Sequence, residues 1–233
     1  MSENTKLILE KFRKIGRECE RFCFMTRGIE FQKDACKRLE SLKNEVSLLK
    51  RVAIDQLDED SANALLSIEE MIDALWNELM MWINLKEDDS EFAWRHLIQA
   101  QSSARNAMQA HSIGAHLENY IRKLFIDEKI LFPPQTFTSP GMTVKHIECS
   151  ICARESGECD HLFGKPYMGK ICSGIVRGIE FRELSIVNEP ADKGSRITEF
   201  GESGNYRNIM TWRLGVEPQI KSKGSSANVH ERR

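Results

Sequence analysis

The chain has 233 residues, with 33 basic and 35 acidic side chains and a net charge of −2. That length suits one large or two modest domains, each able to bury a core without disulfide staples. The near-neutral balance excludes bulk positive charge as a route to nucleic acid, and no uncharged apolar run reaches the ~18 residues of a membrane span.

Charges interrupt every apolar stretch in "MSENTKLILEKFRKIGRECE", which predicts no signal peptide and a cytoplasmic location where thiols stay reduced. Seven cysteines, an odd number, argue against a complete disulfide framework. The first predicted helix covers residues 4–27, with Leu7, Ile8, Phe12, Ile15, Cys19, Phe22 and Cys23 on one side. Phe31, Ala35, Leu39, Leu42, Val46 and Leu49 follow at steps of three and four, the seam of a helical hairpin packed in coiled-coil fashion. A third helix begins near Ser61, with Ser61 or Asp60 as its cap and Leu65, Ile68, Ile72, Leu75, Leu79 and Trp82 facing inward. A fourth follows the acidic run at 87–91, where small residues Ala100, Ala104 and Ala107 allow a neighbour to approach closely. Together these predict an antiparallel helical bundle over 1–131. Cys19, Cys23 and Cys36 read as small buried residues, and His96, His111 and His116 carry no matching ligand set.

Composition changes at residue 132. All six prolines and eleven of the fourteen glycines lie beyond it, so 132–144 reads as a proline-rich linker to a β-rich domain over 145–216. The overall class is therefore α+β, a helical bundle followed by a small zinc-stabilised β-rich domain.

That domain opens with "CSICARESGECDH". Cys149 and Cys152 form a C-x2-C pair, and Cys159 with His161 a C-x-H pair, separated by a turn at 155–157. Two short pairs converging on one centre are the donor set of a structural Cys3His zinc site, and soft sulfur selects Zn2+ over Mg2+ or Ca2+. Cys172 and His146 are reserve ligands. A redox C-x2-C is the other reading of the first pair, but no strand-then-helix context surrounds it. Few large apolar residues occupy 142–172, so coordination would substitute for a core. Beyond it, 177–187 alternates as a strand, with Ile179, Phe181 and Leu184 on related faces. "TWRLGV", 211–216, reads as a last strand with Trp212 packed inward, and 217–233 as a flexible polar tail.

The run of C-x2-C, C-x-H, "GKPYMGK" and "ELSIVNEPADKGSRI", within 145–197, resembles a zinc segment of phage-derived and uncharacterised bacterial proteins. "ELSIVNEPA" is similar to a strand of tailed-phage prohead proteases, which also place a histidine closely followed by a glycine upstream, as "HLFGK" does here. The glycine-flanked serine motif of that family has no counterpart, and Ser185 matches a later, structural serine of the family. The resemblance implies a related β-fold and a setting in phage or anti-phage biology more than peptidase activity.

No phosphate-binding loop, dinucleotide fingerprint or zinc-protease helix motif occurs. The expected protein is a non-catalytic zinc-binding adaptor whose partner is another protein, or itself through the helical region. The alternatives are a serine peptidase drawing on Ser185 or Ser173 with His161 or His146, and a zinc-dependent nucleic-acid binder.

Overall fold

The structure, a computed structural model, describes residues 1–202 and 205–215. The tail expected at 217–233 lies outside the described residues. The fold is α+β. Helices α1 (Glu3–Glu20), α2 (Ile29–Asp55), α3 (Glu59–Lys86), α4 (Ser90–Ala110) and α5 (Glu118–Leu131) precede every strand. Among the described residues, no helix is long and apolar enough to cross a membrane.

Helix α3 is the axis of the helical part. Its buried residues run from Ser61 to Ile83 on all sides, including Leu65, Ile68, Ile72, Leu75, Leu79 and Trp82. A helix apolar all round must be surrounded, and α1, α2 and α4 each pack against it. The seam of α2 faces it through Ala35, Leu39, Leu42 and Val46. Ala93, Ala100, Ala104 and Ala107 on α4 are fully buried, and their small side chains let Ser67 on α3 donate to the Ala107 carbonyl at 2.7 Å. Several buried polar groups on α3 have partners: Glu69 has Lys50 and Ser47, one Glu78 carboxylate oxygen has Lys123, and Asn77 has His96 at 2.8 Å.

Helix ends depart from expectation where distant contacts decide them. The first helix stops at Glu20 instead of 27, because the Gln32 amide takes the carbonyls of Phe22 and Phe24 at 2.8 and 3.1 Å. Its Leu7 is exposed, as is Phe31 at the head of the α2 seam. Asp58, rather than Ser61 or Asp60, caps α3 by accepting from the Ser61 N–H at 3.1 Å, and Ser61 is buried. The expected fourth helix is two. His111 adopts an extended backbone, and a 3-10 turn over Ser112–Leu117 presses Gly114 onto α4, where a Cβ would meet the Ala107 carbonyl at 2.3 Å.

Phe132 and Phe137 both pack on Trp94, at ring distances of 5.3 and 6.2 Å. Residues 137–144, expected as linker, are therefore the first half of strand β1 (Phe137–Cys149). It pairs antiparallel with β4 (Gly174–Val187) to give a long two-stranded ribbon. Proline at 140 is tolerated because each strand of such a pair keeps an open edge. Short pairs β2 (Pro166–Tyr167) with β3 (Lys170–Ile171), and β5 (Glu199–Phe200) with β6 (Arg207–Asn208), complete the sheet structure among the described residues.

The ribbon contains a bulge. Met142 pairs with Phe181 but Gly141 pairs with Glu183, which leaves Arg182 unpaired. One extra residue reverses the inside–outside phase of everything beyond it. Leu184 and Ile186 therefore share a face with Ile179 and Phe181, as their partners Pro140, Thr138, Val144 and Met142 alternate along β1. The opposite face carries Phe137 and Val187 at one end and Glu183 and a Lys145–Glu180 ion pair further along.

After β4 the chain returns to the helices. Lys193 pairs with Glu128 at 2.6 Å and its carbonyl accepts from the Trp94 indole at 3.1 Å, while Arg196 pairs with Glu91 and Gln135. The strand expected from residue 211 is a turn in its described part. Trp212 has a φ of 56°, is 61 % exposed and has the Phe200 ring edge-on at 5.2 Å.

Leu79 is fully buried on α3. Leu79→Ala is expected to cost about 2–5 kcal/mol of stability in urea denaturation followed by far-UV circular dichroism.

Candidate metal centre

The centre forms where the ribbon ends. Cys149 is the last residue of β1, opposite Gly174. The chain turns sharply after it: the Ala153 N–H donates to the Cys149 carbonyl at 2.8 Å, and Ala153 takes a left-handed φ of 57°. This knuckle aims the Ile151 N–H at the Cys149 sulfur, 3.4 Å away. A second turn at Glu155–Glu158, with Gly157 at φ 96°, brings back Cys159 and His161.

The ligand atoms of Cys149, Cys152, Cys159 and His161 all lie within 4.8 Å of one another. Sulfurs bound to one tetrahedral zinc at ~2.3 Å stand about 3.8 Å apart, so the cluster is of the right size. The His161 ring gives a second sign. Its Nδ1 is buried and has no hydrogen-bond partner, a costly arrangement unless a ligand completes it. Four soft and borderline donors, three of them thiols, fit a Zn2+-type ion. The four residues expected from spacing are the four brought together. Cys172 stands at the edge of the set, its sulfur 3.7 Å from that of Cys149. His146 is not part of it; its ring is exposed and faces Glu155 at 3.3 Å.

The thiols differ in charge state according to their surroundings. Burial opposes ionisation of Cys149, but the backbone N–H groups of Cys152 and Ile151 and the neighbouring thiols of Cys172 and Cys152 outweigh it, and its pKa falls to about 6. The His161 N–H favours a Cys159 thiolate, yet burial and the sulfurs of Cys152 and Cys149 push its pKa up. Burial, and then the Cys149 sulfur, likewise raise Cys172. The helical cysteines are different. Burial pushes Cys19 up to about 11 and Cys36 to about 12, so both remain protonated core thiols as expected.

Contacts outside the four clustered residues hold the geometry. Tyr167 on β2 packs edge-on against the His161 ring at 4.7 Å, and its hydroxyl accepts from the Leu162 N–H at 2.9 Å. Ser150 is tied to the strand after Cys172 by bonds with Ser173, and its carbonyl accepts from Lys170 at 2.7 Å. Between β2 and β3, Met168 and Gly169 both have positive φ, 45° and 73°, which closes a tight hairpin. The Gly169 N–H donates to Asn63 on α3 at 2.8 Å, and a Cβ there would crowd the Ala62 carbonyl at 3.3 Å. Nothing local in the sequence marks Asn63, because its role arises from a contact more than a hundred positions away. The Met-Gly turn was legible only as one of several glycines.

Ser185 lies elsewhere. It pairs with Ser139 near the far end of the ribbon, eleven positions along β4 from Gly174, roughly 35 Å at the usual strand rise.

Metal capture by these thiols displaces protons from those still protonated, Cys159 foremost. Affinity for Zn2+ is therefore expected to fall as pH falls, on the order of tenfold per pH unit for each proton displaced. Competition against a chromophoric chelator across pH 6 to 8 reads this directly, and a flat profile would contradict the thiolate set.

No family model, no curated protein and no solved structure matches this chain.

Proposed function

We propose that the chain is a non-catalytic, zinc-stabilised interaction protein, in which helices and a metal-held ribbon present recognition surfaces. The observation that carries this reading is the compact cluster of Cys149, Cys152, Cys159 and His161, together with the unpartnered, buried Nδ1 of His161. Three cysteines and a histidine make a closed set that leaves no position for substrate or activating water, which is the form of structural rather than catalytic zinc.

The peptidase reading implied by the resemblance requires a serine within hydrogen-bond reach of a histidine. Ser185 is separated from His161 by most of the ribbon, and His146 is paired to Arg177 on the adjoining strand eight positions before Ser185. The near-neutral charge supports a protein partner over nucleic acid. On the helical side, a groove of about 680 Å³ between α1 and α2 is lined by Leu7, Ile8 and Leu49, with Lys11 and Glu45 at its rim.

Elemental analysis of purified protein is expected to give about one zinc per chain, falling to near zero in Cys149→Ser. Hydrogen exchange should then quicken across 145–175 while α2, α3 and α4 keep their protection. Protein that is metal-free yet equally protected in that segment would overturn the reading.

A further inference from the structure

One exposed face of the β1–β4 ribbon is largely apolar. Cross-strand pairing places Met142 beside Phe181, Val144 beside Ile179 and Pro140 beside Leu184, all on the same side, with Ile186 beyond. Among these, Met142 is 40 % exposed, Ile179 54 %, Phe181 66 %, Leu184 61 % and Ile186 71 %. The opposite face is the one continuous with Phe137, which is buried in the helical core. Two strands alone are marginal in water, and a run of large apolar side chains on one side makes this ribbon more so.

We propose that this face seats the same face of a second copy of the chain, two ribbons stacking across a two-fold axis. Area argues for it. At roughly 180–200 Å² for a fully exposed side chain of this size, the five leave about 500 Å² per copy, so a stack buries about 1,000 Å², near the lower bound of a specific interface. A self-matching patch is also what a two-fold contact needs, and this one is apolar through its middle. His146 and the Arg177–Glu148 ion pair stand at only one end of the face. Acidic Glu180 and Glu183 are on the other side. The remaining sequence offers no equivalent cover. Residues 217–233 contain only Ile220, Ala227 and Val229 as aliphatic side chains beside many polar ones. A nucleic acid would need cations across the face, and the cross-strand pairs of its middle, Thr138–Ile186, Pro140–Leu184, Met142–Phe181 and Val144–Ile179, carry none.

The proposal rests on the interaction reading above, but its failure is separable: a zinc-bound monomer would overturn the pairing and leave the metal centre standing. The test is sedimentation velocity of the full, zinc-loaded chain at about 1 to 100 μM, the range of an interface this small. A dimer is expected at the upper end. Phe181→Glu should shift it to monomer with unchanged zinc content and helical signal, while Thr143→Glu, on the opposite face, should leave it dimeric. Truncation before Glu217 should also leave it dimeric. If Phe181→Glu loses its helical signal, the milder pair Leu184→Ser and Ile186→Thr replaces it with the same readout. A monomer at the highest concentration, a dimer that survives a folded face variant, or one lost on truncation of the tail would each overturn the proposal. So would vesicle binding abolished by Phe181→Glu in a chain that stays monomeric, which would assign the face to a lipid surface.

Discussion

A two-stranded ribbon cannot hold itself up, and much of this molecule is the means of holding one. Thirteen residues of β1 and fourteen of β4 form a single ladder, with no third strand and no covering layer among the described residues. Such a pair lacks the buried area to offset its own conformational entropy. Its two ends must therefore be fixed by something else. At the base, Phe137 enters the aromatic group of Trp94 and Phe132, and the returning chain closes over it through Lys193 and Arg196. At the tip, the Cys149–Gly174 rung leads directly into the Cys3His cluster. A metal ion suits that end because its bond energy is concentrated in four side chains and needs no hydrophobic interior.

The two ends are also joined through the helical part. The β2–β3 hairpin, which supplies Tyr167 against His161, rests its turn on Asn63 and Glu59 at the start of α3. Helix α3 is the most thoroughly buried element among the described residues, so the hairpin leans on a closely packed helix. The two groups of cysteines mark the division of labour. In the helices thiols are surrounded by carbon and stay protonated; at the knuckle, backbone N–H groups point at sulfur and favour the thiolate. One residue type thus serves as packing in one half and as donor in the other, and the local backbone decides which.

Much of this was legible in the sequence, for reasons that differ by element. The Cys3His cluster could be read because its four members fall within thirteen residues, where spacing and turn residues bring their side chains together. The faces of α2 and α3 could be read because apolar periodicity is a local record of burial; Leu39, Leu42, Leu65 and Leu79 are all in the core. Helix ends were not legible. Gln32 stops α1 by bonding carbonyls eight and ten positions earlier, and Gly114 breaks the fourth helical segment by contact with Ala107. Prolines at 133, 134 and 140 suggested a linker, but a strand with an open edge tolerates the last of them, and Phe137 commits the segment to the core. Trp212 looked like a core residue by type alone, whereas its backbone turns it outward.

The unpaired Arg182 has a meaning for how this surface tolerates change. Strand β4 is two half-strands written in opposite phase and spliced by one residue. Loss of that residue would leave a regular ladder: Leu184 would stand two positions from Phe181, on the same face and still opposite Pro140, and Val187 would stay opposite Phe137. A single-codon deletion is therefore tolerated at this splice, whereas one farther along the strand would shift the residues beyond it against their partners on β1. The orientation of the exposed face is stored as a count of residues rather than as their identities.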